Sequence, residues 1–485
     1  MKLKAYYIFL NLFIVTTIAL IVALHFATAI AAEPDRPHAK RLPSQSVPPP
    51  PEMLKDEILV KYLGKNLPPT DSPERPRALQ QLGDEFTRTF GIKILSTIVE
   101  LGMHRIKIPA GESLTDMIAR LNKHPAVDKV EPVYVAHLSR GPQLPPPDEP
   151  YWKSGDLWGM ERIGMKELWD HGITGSDQVV AVIDTGIDYD HADWAHMDGS
   201  KNLWTDTTGK FGQNYCNNGN PSNDPIDDEG HGTAVAGVIG AVGNNGQDIA
   251  GVSWNVKIMA VKAFCKDNSN PNAPPTATND HLAQGVRYAV DNGAWIINAS
   301  WDIGTADSGI LRDEIQNANQ HNVLFVAASG NTLNDNDFWP TYPANYAHDL
   351  DNVVAVAATN ERDQLWIGSG TKRYGSNWGK TTVHIAAPGD EIYSLTTSVN
   401  GGGITGNDGT SMAAAHVTGC AALMRDGRFR LSPKAIRDKI NSSGDTVACL
   451  EGMVLNAKRL NCWRAVNPKV GWGPFGVFHD YFFGP

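Results

Sequence analysis

Cysteine is scarce in this chain: the five residues at 216, 265, 420, 449 and 462 are too few to staple a fold of 485 residues, and none shows zinc-ligand spacing. A long basic run is also missing. Asp plus Glu (53) outnumber Lys plus Arg (42) for a formal net charge of -11, so nucleic acid is not an expected partner. No segment repeats at a fixed period. Glycine (46) and proline (31) stay near ordinary frequency, which excludes a fibrous or wholly disordered chain. What is left is a 41% hydrophobic sequence that can bury a large core, long enough for roughly two to four domains.

The N-terminus carries an uncharged, mostly apolar run from Ala5 to Ala32, behind Lys2 and Lys4. Small residues at Ala27, Ala29 and Ala31 offer signal-peptidase sites. The run is longer than an ordinary signal core and could span a bilayer, so residues 1–32 read as a signal peptide or a retained membrane anchor. Either way the rest of the chain is exported, and the protein is expected to be secreted or extracytoplasmic. Export permits disulfides. Cys449 and Cys462 are near enough in sequence to close a small loop, Cys216 with Cys265 is a second candidate pair, and Cys420, in an apolar helical run, reads as a buried free thiol.

Residues 33–55 form a polar linker containing Pro48-Pro49-Pro50-Pro51, which cannot pack as helix or sheet. Residues 56–138 then alternate regularly. A strand begins at Asp56, a helical stretch covers Arg77 to Phe90, and strands follow near Ile92 to Glu100 and Met103 to Pro109. A helix opens at Ser113-Leu114-Thr115-Asp116, and the last strand is Val127 to Leu138. That order predicts a small α+β ferredoxin-like domain. A Pro-rich joint, 139–150, separates it from 151–470, where apolar strands at 179–184, 256–263, 295–300, 323–329 and 353–359 alternate with helical segments. Continuous apolar strands of this kind predict an α/β fold, a mainly parallel sheet with helices on both faces. A tail rich in Gly and aromatics, 471–485, closes the chain.

In such a sheet, functional groups collect at the carboxyl ends of the strands. Asp184 ends V-A-V-I-D there; alone it would read as a turn former. His231 stands in G-H-G-T-A-V-A-G, where Gly230 and Gly232 let the backbone approach its neighbours. Ser411, in G-T-S-M-A-A-A-H-V-T-G, sits where a Gly-rich loop, Gly401 to Gly409, runs into a helix. Its hydroxyl would face backbone N–H groups able to stabilise an oxyanion, with a plain N-cap as the alternative. Asn331, in V-A-A-S-G-N after a buried strand, could donate an amide N–H to the same oxyanion.

Taken in order, A-V-I-D-T-G-I-D, G-H-G-T-A-V-A-G, A-A-S-G-N and G-T-S-M-A-A-A-H-V-T-G resemble the motifs of the subtilisin family, the subtilases, over residues 56 to about 466. The resemblance implies a subtilisin-like catalytic domain and a serine endopeptidase that cleaves polypeptide substrates through an acyl-enzyme. It makes Ser411 the nucleophile, His231 the proton carrier, Asp184 the group that holds the imidazole, and Asn331 part of the oxyanion hole; subtilisin is itself a reference case for these roles. A catalytically silent binding module would lack one of these residues, and none is lacking.

The same resemblance implies that Ser300, Trp301 and Asp302 pair with the substrate backbone and, with Ser329 and Gly330, wall the pocket for the residue before the cleaved bond. Asp302 stands where the family carries Gly, which predicts a narrower or more acidic pocket. Ala234 and Ala415 replace a His and a Pro of the family, and neither does chemistry. A structural calcium ion is implied at Asp193 and the loop V-G-N-N-G-Q-D-I-A-G, through the Asn245 amide and the carbonyls of Val242, Gln247 and Ile249. Asp224, Asp227 and Asp228 form an acidic cluster that could take a second ion or be a solvated loop. The small domain would be the enzyme's own intramolecular inhibitor, a propeptide removed by self-processing between 138 and 150, and the enzyme a monomer.

Overall fold

The computed structural model describes residues 52–138, 151–216, 221–267, 269–270, 272–369, 374–425 and 431–466. The expected signal or anchor at 1–32, most of the 33–55 linker, the joint at 139–150 and the 471–485 tail lie outside the described residues. Among the described residues no helix is long and apolar enough to cross a membrane.

The small domain runs β1 (Met53–Tyr62), α1 (Arg75–Phe90), β2 (Lys93–Ile98), β3 (Met103–Lys107), α2 (Leu114–Leu121) and β4 (Val127–Leu138). Its strands pair antiparallel in the order β4-β1-β3-β2. Pro76 in the first turn of α1 and the left-handed Gly91 after it (φ 69°) are the start and stop signals of that helix. Alternate residues of β1, Ile58, Val60 and Tyr62, meet Leu79, Phe86, Met117 and Leu121 from the helices in one core.

The large domain, its short helical turns aside, runs β5 (Val179–Asp184), β6 (Gly212–Asn214), α3 (His231–Gly240), β7 (Lys257–Lys262), β8 (Thr276–Thr278), α4 (Asn279–Asp291), β9 (Ile296–Ala299), β10 (Trp301–Asp302) and α5 (Gly309–Gln320). It continues with β11 (Leu324–Ala328), β12 (Val353–Thr359), β13 (Ile385–Pro388), β14 (Ile392–Leu395), β15 (Ile404–Asn407), α6 (Thr410–Met424), α7 (Pro433–Ser443), β16 (Asp445–Thr446), β17 (Lys458–Arg459) and α8 (Cys462–Val466). The central sheet has the order β16-β17-β13-β12-β11-β9-β5-β7-β6, and every pairing from β13 to β6 is parallel. Val180 and Val182 of β5 pack with α3 and α6 on one face, while Ala181 and Ile183 pack with α4 and α5 on the other. That two-sided burial is why the strands read as unbroken apolar runs. From β5 the chain runs out to β6 and β7 on one side and then crosses to β9 on the other, so the carboxyl ends of β5 and β9 flank a crevice.

The two domains share strand pairing. Val135, Ala136 and His137 at the end of β4 pair antiparallel with Thr278, Ala277 and Thr276 of β8, while His137 and Leu138 pair with Asp302 and Trp301 of β10. Below this, Leu59, Met103 and Val133 pack on Ala283 of α4 and Ile310 of α5. Glu131 is buried at the junction. Its carboxylate accepts from the Asn279 side-chain amide Nδ2 (2.8 Å) at the start of α4, and from Ser308 Oγ (2.5 Å) and the Ile310 N–H (3.3 Å) at the start of α5. Lys129 reaches Asp313 at 2.7 Å and Arg105 reaches Asp280 at 3.5 Å.

Two expectations are corrected. The stretch from Gly401 to Gly409 is not all loop, because Ile404 and Thr405 are β-branched and β15 pairs antiparallel with β14. Cys449 and Cys462 are not bonded: Cys449 is exposed in a short turn, whereas Cys462 is buried at the start of α8. The bond that forms is Cys216–Cys265, and Cys420 is a buried thiol with Cys462 set against it.

Candidate active site

Asp184, the last residue of β5, is fully buried. Its Oδ1 accepts from the Thr185 N–H at 2.7 Å and lies 2.8 Å from His231 Nδ1. His231 opens α3, and the glycines around it are there for space. A Cβ on Gly232 would come within 2.2 Å of Gly186 O, and one on Gly186, whose φ is 107°, within 2.4 Å of Pro225 O. Asp227 holds the loop in front of the helix. Its carboxylate accepts from the Glu229, Gly230 and Thr233 N–H groups and from Thr233 Oγ1, at 2.6–3.0 Å. Burial pushes the Asp227 carboxyl up from its ordinary range, and those hydrogen bonds oppose the rise. The imidazole Nε2 is buried and has no hydrogen-bond partner among the described residues.

Ser411 stands in the first turn of α6. Its Oγ donates to Ser300 O at 3.1 Å instead of to His231 Nε2, and Ser300 Oγ donates to Ser411 O at 3.0 Å. Behind this pair runs a buried chain: Thr418 Oγ1 donates to Asn298 Oδ1 (2.8 Å), and Asn298 Nδ2 donates to Ser300 Oγ (2.8 Å). Asn331 follows β11 through Ser329 and Gly330. Its Oδ1 accepts from the Thr410 N–H (3.1 Å) and Thr410 Oγ1 (2.9 Å), which leaves Nδ2 buried and without an acceptor among the described residues. Gly330 has φ 104°, and a Cβ there would meet Asn377 Nδ2 at 2.6 Å. Asn377 secures this loop, accepting from the Thr332 and Asn334 N–H groups at 2.9 and 3.1 Å.

Of the residues expected to face substrate, Trp301 and Asp302 contribute backbone as β10. The Trp301 ring is fully buried and donates to Ile183 O at 2.9 Å, so its side chain belongs to the core. Asp302 Oδ1 accepts from the Gly304 N–H at 3.0 Å. Ser300, Ser329 and Gly330 are buried beside them.

Asp193 is fully buried, and its two oxygens accept from neutral donors, Asn245 Nδ2 at 2.9 Å and the Ile249 N–H at 3.1 Å. The Val242 N–H donates to Asp193 O at 3.0 Å, and Gln247 N–H to Asn245 Oδ1 at 2.9 Å, so the whole loop wraps this carboxylate. Burial pushes it up to about 6. Among the described residues no three His, Cys, Asp or Glu side chains gather to hold a metal, so any cation here would rest on this carboxylate and on neutral oxygens. The acidic cluster is dispersed: Asp224 accepts from Tyr189 Oη, Asp227 caps α3, and Asp228 pairs with Lys262 at 2.7 Å.

Sequence reasoning missed Thr410, Asn377, Asn298 and Glu131. Asn298 alone carried a signal, as an amide inside the apolar strand I-I-N-A. The others act through partners far along the chain.

The model described as the subtilase family matches residues 175–473, and the one described as the fervidolysin N-terminal prodomain matches residues 45–132. Thermitase of Thermoactinomyces vulgaris is 33% identical over 323 residues, 66% of this chain and 99% of its own length. A thermophilic serine proteinase of Bacillus sp. (strain AK1) is 32% identical over 356 residues, 72% of this chain and 75% of its own length. The crystal structure of fervidolysin from Fervidobacterium pennivorans superposes with a TM-score of 0.62 at 22% identity, covering 85% of this chain and 61% of that one.

Proposed function

The chain belongs to the subtilase family and is a subtilisin-type serine protease with an N-terminal prodomain, and on that premise we propose that Asp184, His231 and Ser411 are its catalytic triad. In this reading His231 Nε2 takes the Ser411 proton as Oγ attacks the scissile carbonyl and returns it to the leaving amine. Asp184 holds the tautomer that presents Nε2. Asn331 Nδ2 and the Ser411 N–H receive the oxyanion. The observation that carries the reading is the buried Asp184–His231 hydrogen bond, 2.8 Å long, at the same sheet edge as a buried Asn331 amide with a spare donor.

A fluorophosphonate probe should label the processed protein and fail on Ser411→Ala. Label retained by Ser411→Ala, or absent from the processed wild type, would sink the reading.

Residues 56–138 are proposed as the inhibitory propeptide and 151–470 as the catalytic domain. Support comes from β4 lying between β8 and β10 as an added strand, the way a substrate would. The pairing reaches Leu138 opposite Trp301, one step short of Ser300, so we expect self-cleavage soon after 138. A Ser411→Ala precursor should stay uncut. A buried carboxylate held by neutral donors suits a cation, so calcium is assigned to Asp193, Asn245 and the carbonyls of Val242, Gln247 and Ile249. Bound there, it would supply the positive charge that burial of Asp193 calls for. Ser300 to Asp302, with Ser329 and Gly330, are proposed to receive substrate. We propose that residues 1–32 act as a signal peptide or membrane anchor and that the enzyme works outside the cytoplasm.

A further inference from the structure

Lys262 is the last residue of β7 and sits level with Asp184 across the parallel pairing. Its side chain is buried, with 4% exposure. The ammonium has two partners, and they belong to two different motifs. Lys262 Nζ donates to Thr185 O at 2.6 Å, the carbonyl directly after Asp184, and to Asp228 Oδ1 at 2.7 Å, in the loop that carries His231. Besides the Asp184–His231 hydrogen bond itself, uncharged ties join these segments: Thr185 Oγ1 accepts from the Gly232 N–H at 2.8 Å, and the Asp227 N–H donates to Ile187 O at 3.2 Å. The Ala263 and Phe264 N–H groups both donate to Asp184 O, so the strand bearing the lysine also grips the backbone of the aspartate.

Burying an ammonium is costly unless it is paired, and a packed apolar side chain would fill the same space at no such cost. We propose that Lys262 is a positioning residue of the protease, a buried cation that locks the Asp184 strand end to the His231 loop and sets the charge balance around the imidazole. The proposal rests on the reading of His231 as the proton carrier.

The charged groups on the elements packed round His231 are Asp184 and Asp188 after β5, Asp227, Asp228 and Glu229 in its own loop, and Lys262 on β7, with Lys266 beyond, bonded to Asp228 O. Lys262 and Asp228 bring charges of opposite sign to this set, so Lys262→Met leaves it one positive charge short and Asp228→Asn one negative charge short, and the two must move the acid limb of kcat/KM in opposite directions.

The test is the pH profile of kcat/KM for processed wild type, Lys262→Met, Lys262→Arg and Asp228→Asn, matured where necessary by a trace of wild-type enzyme. Concentrations are fixed by fluorophosphonate titration. The expected result is an acid limb displaced upward in Lys262→Met and downward in Asp228→Asn, each by a few tenths of a pH unit or more. In Lys262→Met kcat should fall roughly tenfold with KM little changed, and Lys262→Arg should restore part of it. Asp228 is about half exposed, so its amide variant should fold even if Lys262→Met does not. Limbs that stay in place, or move the same way in both variants, would overturn the inference while leaving the triad standing. Failure of the wild type to take the label would instead take down the reading beneath it.

Discussion

Asn331 is held on its oxygen side by Thr410, so its amide nitrogen is aimed before any substrate arrives. Pre-oriented donors of this kind are worth on the order of two to three powers of ten in turnover. Asn331→Leu in processed enzyme should therefore lower kcat by about 100- to 1000-fold with KM little altered; a loss confined to KM would mean that the amide binds the ground state instead. Asp184, His231, Asn331 and Ser411 were legible because each stands in a strand-end or loop segment whose glycines have an evident steric reason, such as Gly186 against Pro225 O. Thr410 and Asn377 were not, since nothing local marks which distant amide they serve. The Cys449–Cys462 pairing failed for a related reason. Thirteen residues of separation suggested a loop, but exposure of Cys449 and burial of Cys462 decide that they never meet.

At the scale of elements, hydrophobic period was enough to find the strands and helices of the small domain and the central strands β5, β7, β9, β11 and β12 of the large one, because these are buried on one or two faces in a regular pattern. It could not reveal that β4 ends between β8 and β10, since that pairing uses backbone groups and a short, mixed-polarity stretch. Nor could it show that Glu131 closes the junction. Removing this carboxylate takes an acceptor from Asn279 Nδ2, Ser308 Oγ and the Ile310 N–H, and each buried hydrogen bond to a charged group is worth about 1.5–3 kcal/mol. Glu131→Ala should thus loosen the propeptide after cleavage, speeding its dissociation by roughly tenfold or more. Co-elution of the two pieces on gel filtration, followed over time, measures this. Dissociation at the wild-type rate would show that β4 pairing and the apolar patch carry the interface alone.

The whole molecule is stabilised in part by groups whose cost shows only when conditions change. The calcium proposed at Asp193 is one: a ligand bound only by the folded state at 100 to 1,000 times its Kd adds about 3–4 kcal/mol, several degrees in Tm for a domain of this size. In a Ser411→Ala background, which prevents autolysis, a chelator should lower Tm by that amount, and Asp193→Ala should abolish the calcium dependence.

Two buried histidines are the other. Burial holds His384 and His416 down to about 4, against an ordinary value of 6.5. His384 Nδ1 accepts from the Ala355 N–H at 3.3 Å, an arrangement that imidazolium destroys. Between pH 6.5 and about 4 the unfolded chain binds protons that the folded one refuses, so unfolding free energy must fall as pH drops through that window and stay level above it. Each histidine contributes on the order of 3 kcal/mol across the window. With calcium saturating, urea midpoints of the Ser411→Ala protein should decline from pH 6.5 downward, and His384→Gln should decline less steeply. Equal slopes in the two proteins would mean that His384 is protonated in the folded state after all, and that the acid sensitivity has its source in His416 or the carboxylates.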